Sequence, residues 1–408
     1  MTSSKHPTPP DRRRELVGLV AELGPAFAER AAGYDRDARF PHENYADLRE
    51  AGLLGLCVPE RYGGLGADFA TYGLVSEELG RHCGSTALTF NMHTATMLLC
   101  GQIADDLEMS PADRAEHERR RAAMYAGVIS EGHIHAQPFS EGNAPGATAG
   151  VATLTVPTDG GWRLTGRKIF ASLSGAADRH NVICVAPDDP TIRFMSVPTD
   201  SEGLSFAGDW DPLGMRGTVS LTLLLEDVFV PAEAELLPAG VFDQVASRWP
   251  HFYLTLSFTY LGIMRAVMDF TDGYLAGRIG PGSRRENPQK QAGWAEMQVS
   301  YERAHALARH VLTEAGVDPT PAQVRRAWAS MVSTMETAPE LASLAVRVCG
   351  GRSLLRPHTL ERLYRDARCG ATMLPWSVEA CLDRLGRAGP VFIHISEPTR
   401  QAEISYAV

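Results

Sequence analysis

The chain has 408 residues, 44% of them apolar and 22% charged, with a formal net charge of −10. That length predicts roughly two or three domains, and the balance is that of an ordinary globular protein rather than a disordered or fibrous one. The acidic excess argues against nucleic acid or an anionic membrane surface as the main partner. The seven cysteines are scattered without a CxxC pair, which fits a reducing cytoplasm and gives no support to a zinc site. The first residues pass into prolines and Arg12-Arg13-Arg14 with no apolar run, so a secretory leader is not expected. No stretch approaches the roughly 18 apolar residues of a membrane span, and a cytoplasmic location is the expectation.

The first third reads as helical. Leu16, Leu19, Val20 and Leu23 repeat at helical spacing, as do Leu48, Leu53 and Leu54. The glycine-rich loop Gly63-Gly64-Leu65-Gly66 interrupts, a helix resumes over 69–79, and the apolar run 87–103 predicts a buried helix. Near Tyr125 the texture changes to short β-rich runs such as Val182-Ile183-Cys184-Val185 and Phe194-Met195-Ser196-Val197. Turn residues such as Asp159-Gly160-Gly161 separate them. Helical periodicity returns near Phe242, over 254–275, 294–314, 321–348 and 360–385, the last interrupted at Pro375. The expectation is an α+β chain. It has an N-terminal helical domain (1–124), a barrel- or sandwich-like β-domain (125–235), a C-terminal four-helix bundle (236–390) and a tail (391–408).

Several separated motifs, taken in order, resemble the acyl-CoA dehydrogenase family over nearly the whole chain. They are Leu53-Leu54-Gly55-Leu56 with Tyr62-Gly63-Gly64, Ile129-Ser130-Glu131, Gly166-Arg167-Lys168-Ile169-Phe170-Ala171-Ser172, Asp211-Pro212-Leu213-Gly214-Met215-Arg216-Gly217-Thr218-Val219-Ser220, and Gly350-Gly351. After Glu131 the chain departs from the family's glycine-rich loop with Gly132-His133-Ile134-His135-Ala136-Gln137-Pro138. The resemblance implies bound FAD. It implies that Ser130, Phe170 and Ser172 meet the flavin ring, an aromatic and hydroxyls being suited to stacking and to hydrogen bonds with ring nitrogens and carbonyls. Strand alternation would put Phe170 and Ser172 on one face. The resemblance also places Arg278, Gln291 (or Gln289), Arg347, Gly350 and Gly351 at the cofactor's phosphates, where glycine backbone and guanidinium groups suit an anion. Trp376 belongs to the same cofactor-binding set. Since that site is shared between subunits, a homodimer or homotetramer is implied.

In the family a glutamate that removes the substrate α-proton stands where this chain has Leu374, and a leucine accepts no proton. The alternative family position falls on Phe252. Ionisable candidates for a relocated base are Glu131, His93, His251 and Tyr253, with His133 and His135 beside them. Three functions stay open. The first is oxidation of an acyl-CoA or carrier-protein-bound acyl thioester, with electrons passed to electron-transfer flavoprotein or oxygen. The second is a flavin-dependent monooxygenase, in which His93 would manage the oxygen chemistry. The third is a non-catalytic flavoprotein.

Overall fold

The computed structural model describes residues 7–142, 150–280, 282–356, 358–373 and 375–389. Leu374 and the tail from 390 onward lie outside the described residues. Helices come first: α1 (Pro10–Asp37), α2 (His42–Glu50), α3 (Phe69–His82), α4 (Gly84–Leu98), α5 (Ala104–Asp106) and α6 (Pro111–Ala126). The strands follow: β1 (His135–Ala136), β2 (Leu154–Thr158), β3 (Gly161–Ala171), β4 (Arg179–Ala186), β5 (Asp189–Pro198), β6 (Leu204–Ala207), β7 (Leu221–Pro231) and β8 (Glu235–Leu237). The C-terminal helices are α7 (Val245–Arg248), α8 (Ser257–Leu275), α9 (Pro288–Glu314), α10 (Pro321–Cys349), α11 (Thr359–Arg368) and α12 (Val378–Arg387). The α+β architecture expected from the sequence is the one observed.

Local chemistry sets the helix starts. The Asp68 carboxylate accepts the Thr71 N–H at 2.8 Å and opens α3. Thr320 and Gln323 form a reciprocal capping box at the start of α10. Two glycines let α3 and α8 touch backbone to backbone. A Cβ on Gly262 would stand 2.1 Å from the Glu77 carbonyl, and one on Gly80 would stand 2.3 Å from that of Thr259. The helices α8, α9, α11 and α12 all pack against α10, whose buried stripe runs from Ala327 through Met331, Met335, Ala338 and Ala342.

The sheet runs in the order β6-β7-β3-β2-β4-β5-β8, with β1 paired in parallel to β4. It consists of two half-sheets, one of β2, β3, β6 and β7 and one of β1, β4, β5 and β8. The halves meet at a single paired position, Leu154 with Val185. Their inner faces pack together through Leu164, Val182, Met195, Leu223 and Val228, all fully buried. Two boundaries differ from the expectation in detail. Helix α6 continues through a π turn, Gly127–Glu131, so residues 125–131 are helical and the strands begin at His135. The interruption expected at Pro375 within 360–385 is present but begins earlier, at the 3-10 turn Cys369–Thr372, and a fresh cap at Ser377 starts the second helix.

Candidate functional site

A cavity of about 520 Å³ opens where α4, the β-domain and the C-terminal helices converge. Helix α4 contributes Leu88, Asn91 and Met92, and the segment after β1 contributes Gln137, Phe139 and Ser140. The end of β3 adds Ile169, Phe170 and Ser172, and the loop before β7 adds Trp210, Met215, Thr218 and Ser220. Phe252, Tyr253 and Thr255 come from the turn before α8, with Arg368, Cys369 and Met373 from the end of α11 onward. Helix α4 is registered on β1 by His93, whose Nδ1 accepts the His135 N–H at 3.1 Å. That pins Asn91 and Gln137 to one wall. The Asn91 carbonyl oxygen accepts the Tyr72 hydroxyl proton, which leaves its amide nitrogen for the cavity. Gln137 is 9% exposed, and its amide nitrogen has no protein partner. A buried unpaired donor on a cavity wall is a group awaiting an acceptor.

The opposite wall is held by strain and by hydroxyls. Phe170 (φ 52°), Leu173 (φ 67°), Met215 (φ 55°) and Val219 (φ 43°) are all left-handed. Such a conformation costs a non-glycine residue roughly 1–2 kcal/mol, and it is a marked outlier for a β-branched side chain. Two backbone bonds lock the segments together, Leu173 N–H to Thr218 O (3.0 Å) and Ser174 N–H to Val219 O (3.1 Å). Within this frame the Ser172 and Ser220 hydroxyls lie 2.8 Å apart, those of Ser220 and Thr218 also 2.8 Å, and Thr218 donates to Met215 O at 2.9 Å. The Met215 N–H in turn donates to the buried carboxylate of Asp366 at 2.6 Å. Behind the wall Lys168, fully buried on β3, donates to Glu141 (2.5 Å) and to Ile183 O (2.7 Å). Glu141 also accepts the Ala152 and Thr153 N–H groups.

The expected site residues divide. Phe170 and Ser172 both line the cavity, though not by strand alternation. The register shifts between Lys168 and Ala171, and the Ser172 N–H bonds back to Phe170 O at 2.9 Å, so the strand kinks between them. Phe170 is consequently 65% exposed beside a buried Ser172. Ser130 and Glu131 lie in the π turn and are exposed, with Glu131 paired to His133 at 3.0 Å, and neither lines the cavity. The wall position expected of them is taken by the segment after β1. The physical reason is that α6 carries its helix through residues 127–131, turning Ser130 outward before the chain enters the β-domain.

His93 is buried, with Nε2–H donating to Leu54 O at 2.8 Å, and both ring nitrogens are therefore spent on the fold. Burial lowers its pKa to about 4. His251 is buried under the same turn as Tyr253, its pKa also pulled down to about 4 by burial, and it stands outside the lining. Phe252 and Tyr253 are on the wall, and burial pushes the Tyr253 phenol up. Trp376 is buried behind Tyr253, with ring centroids 5.6 Å apart.

The residues assigned to the phosphates stand elsewhere. Gln291 lies in the first turn of α9, and Arg347 in the last turn of α10 is ion-paired with Glu296. Gly350 (φ 88°) and Gly351 follow α10, and Arg278 is exposed after α8. Contacts between α9 and α10, including Lys290 to Val348 O, gather Gln291, Arg347 and the glycines at one end of the bundle. None of these five lines the cavity. Asn91 is a lining residue that sequence reasoning passed over, while Gln137, Thr218 and Ser220 lay in segments singled out by motif without a chemical role of their own. Thr218 and Ser220 close the Asp211–Ser220 motif, which marks the fold rather than a chemistry.

Three domain profiles match the chain: acyl-CoA dehydrogenase N-terminal domain over residues 15–105, middle domain over 136–228 and C-terminal domain over 254–374. L-evernosamine nitrososynthase of Micromonospora sp. is 31% identical over 91% of this chain and 89% of its own. The putative acyl-CoA dehydrogenase YdbM of Bacillus subtilis is 27% identical over 88% and 93%. Among solved structures, FMN-bound TdsC of Paenibacillus sp. A11-2 superposes with a TM-score of 0.78 at 26% identity, covering 94% of this chain and 98% of that one. The chain belongs to the acyl-CoA dehydrogenase family.

Proposed function

We propose that this chain is a flavin-dependent oxygenase that transfers one oxygen atom from dioxygen to a nucleophilic heteroatom, an amine nitrogen, of a small organic substrate. The observation that carries this reading is the lining of the cavity. It is an apolar wall whose polar groups are neutral hydroxyls and amides, with the guanidinium of Arg368, 53% exposed, at its edge. Among the described residues no carboxylate, imidazole or ammonium lines it. Burial holds the neighbouring Cys369 thiol up near 12, so it too is neutral. Dehydrogenation of a thioester needs a base within reach of the α-proton. Oxygen transfer to an amine lone pair needs instead a dry, oriented pocket.

The residues fit a flavin ring. Phe170 offers an exposed aromatic face, Ser172 and Ser220 offer hydroxyl oxygens, and Gln137 offers an unpaired N–H. Bound there, reduced flavin would supply two electrons to dioxygen, one oxygen atom entering the substrate and the other leaving as water. Phe252 and Trp210 shield the pocket from water, Phe170 being covered by the bound ring, and the Asn91 amide, oriented by Tyr72, orients the substrate. The likeness to a nitrososynthase over nine-tenths of the chain supports a nitrogen substrate. FAD and FMN share the same reacting ring. The exposed set Arg278, Gln291, Arg347, Gly350 and Gly351 suits the outer part of a dinucleotide completed by a second subunit of a homodimer or homotetramer.

The full-length likeness to YdbM favours a second reading, oxidation of an acyl-CoA or carrier-protein thioester with electron-transfer flavoprotein or oxygen as acceptor. One experiment separates the two. The purified chain is given chemically reduced FMN, isotopically labelled dioxygen and a panel of primary amines including amino-sugar nucleotides. The expected result is an N-oxygenated product carrying the label. No labelled product, together with bleaching of bound flavin by an acyl-CoA under argon, would overturn the oxygenase reading in favour of the second.

A further inference from the structure

We infer that Thr218 and Ser220 are positioning residues that turn the Ser172 hydroxyl into an obligate hydrogen-bond acceptor toward the cavity, and that the site thereby selects reduced over oxidised flavin. The inference rests on the flavin site proposed above, with the ring's N5 edge against Ser172. Each hydroxyl has one proton. A carbonyl cannot donate, so the 2.9 Å contact of Thr218 with Met215 O consumes the Thr218 proton. The 2.8 Å contact of Thr218 with Ser220 must then be a donation by Ser220. The 2.8 Å contact of Ser220 with Ser172 must, by the same count, be a donation by Ser172. The chain of three hydroxyls has a single direction, fixed at its far end by a backbone oxygen. What Ser172 presents to the cavity is lone pairs.

Backbone geometry shows that this arrangement is built. Four of the seven left-handed non-glycine residues among the described ones, Phe170, Leu173, Met215 and Val219, flank the three hydroxyls. Strain of this kind persists only where surrounding structure enforces it, and it concentrates at functional sites. The enforcing contacts are present. The Asp366 carboxylate holds the Met215 N–H, fixing the peptide that carries the terminal acceptor's residue, and the two backbone bonds between 173–174 and 218–219 clamp the segments.

An acceptor meets its match only in a donor. The oxidised isoalloxazine carries a lone pair at N5, and against Ser172 that would oppose two acceptors. The reduced ring carries N–H at N5. A buried acceptor left without a donor keeps its full desolvation penalty, so the oxidised form is disfavoured. Thermodynamic linkage makes a preference for one redox form the same quantity as a shift in the bound flavin's potential.

The test measures dissociation constants of oxidised FMN and of dithionite-reduced FMN, the latter under argon, for wild type, Thr218→Val, Ser220→Ala and Thr218→Ser. The expected result is tighter binding of the reduced form by wild type. The reduced-over-oxidised ratio should fall about tenfold in Thr218→Val and Ser220→Ala and be kept in Thr218→Ser, which retains the hydroxyl. Equal weakening of both forms with an unchanged ratio would mean a merely structural role and would overturn the inference while leaving the oxygenase reading standing. A wild type that prefers oxidised FMN would overturn it as well. A wild type that binds neither form would overturn both.

Discussion

The cavity wall and the exposed end of the helical bundle are attributed to the same cofactor by sequence resemblance, yet they are organised in opposite ways. The wall is finished within one chain. Its hydroxyls bond each other, its strained residues are clamped, and a buried ion pair, Lys168–Glu141, backs it. The bundle end is open. Its glycines are exposed to solvent or nearly so, and its arginines are exposed, with Arg347 engaged by a surface carboxylate. The difference teaches where preorganisation resides. The cavity wall holds its shape through contacts within the chain, whereas the bundle end leaves its glycine backbone and arginines open to solvent.

Substitutions on the two sides sharpen that contrast. The largest effect is expected for Glu141→Ala, which strands a fully buried ammonium and two N–H groups. Breaking a buried pair from one side costs about 3–5 kcal/mol, read as a lowered urea midpoint. A loss below about 1 kcal/mol would place the wall in the same class as the bundle end.

Next comes Asp366, whose carboxyl is pushed up to about 6 by burial, partly offset by Arg362. Because the folded-state pKa is raised, the protonated acid is the form that folding favours. Its stabilising contribution is present below about pH 4 and is lost as pH rises through about 6. Asp366→Asn keeps an acceptor for the Met215 N–H without the charge. It should gain on wild type across that window by an amount on the order of 2–3 kcal/mol and run parallel to it above. Parallel curves throughout would refute the assignment. The smallest effect is expected at the bundle end. Arg347→Ala should change stability by less than about 0.5 kcal/mol, so a large drop in melting temperature would break the comparison from the other side.

The helix–strand–helix order was legible because periodicity is a property of the chain itself. The close matches of 254–275 to α8 and 321–348 to α10 reflect that. Phe170 and Ser172 were legible as a pair by motif, but the reason given for their pairing was not the operative one. Alternation holds along a regular strand, and here the backbone leaves it at a bulge that no residue type announces. Ser130 illustrates a different limit. A hydroxyl beside an acid reads alike at a strand edge and at the end of a helix, and only the extra π turn of α6 decides between them. Gln137, Thr218 and Ser220 stood in segments legible as marks of the family or departures from it, not as chemistry. Their meaning lies in partners distant along the chain, such as Ser172, or in the lack of a partner.

The two half-sheets share one paired position, Leu154 with Val185, and this leaves a seam through the β-domain that backbone ladders barely stitch. One stitch is Lys168, which rises from one half-sheet and grips the Ile183 carbonyl of the other at 2.7 Å. That ammonium adds a polar tie to the apolar contact between the two inner faces. The seam therefore closes through side chains, the apolar inner faces and this one ammonium together, more than through backbone ladders.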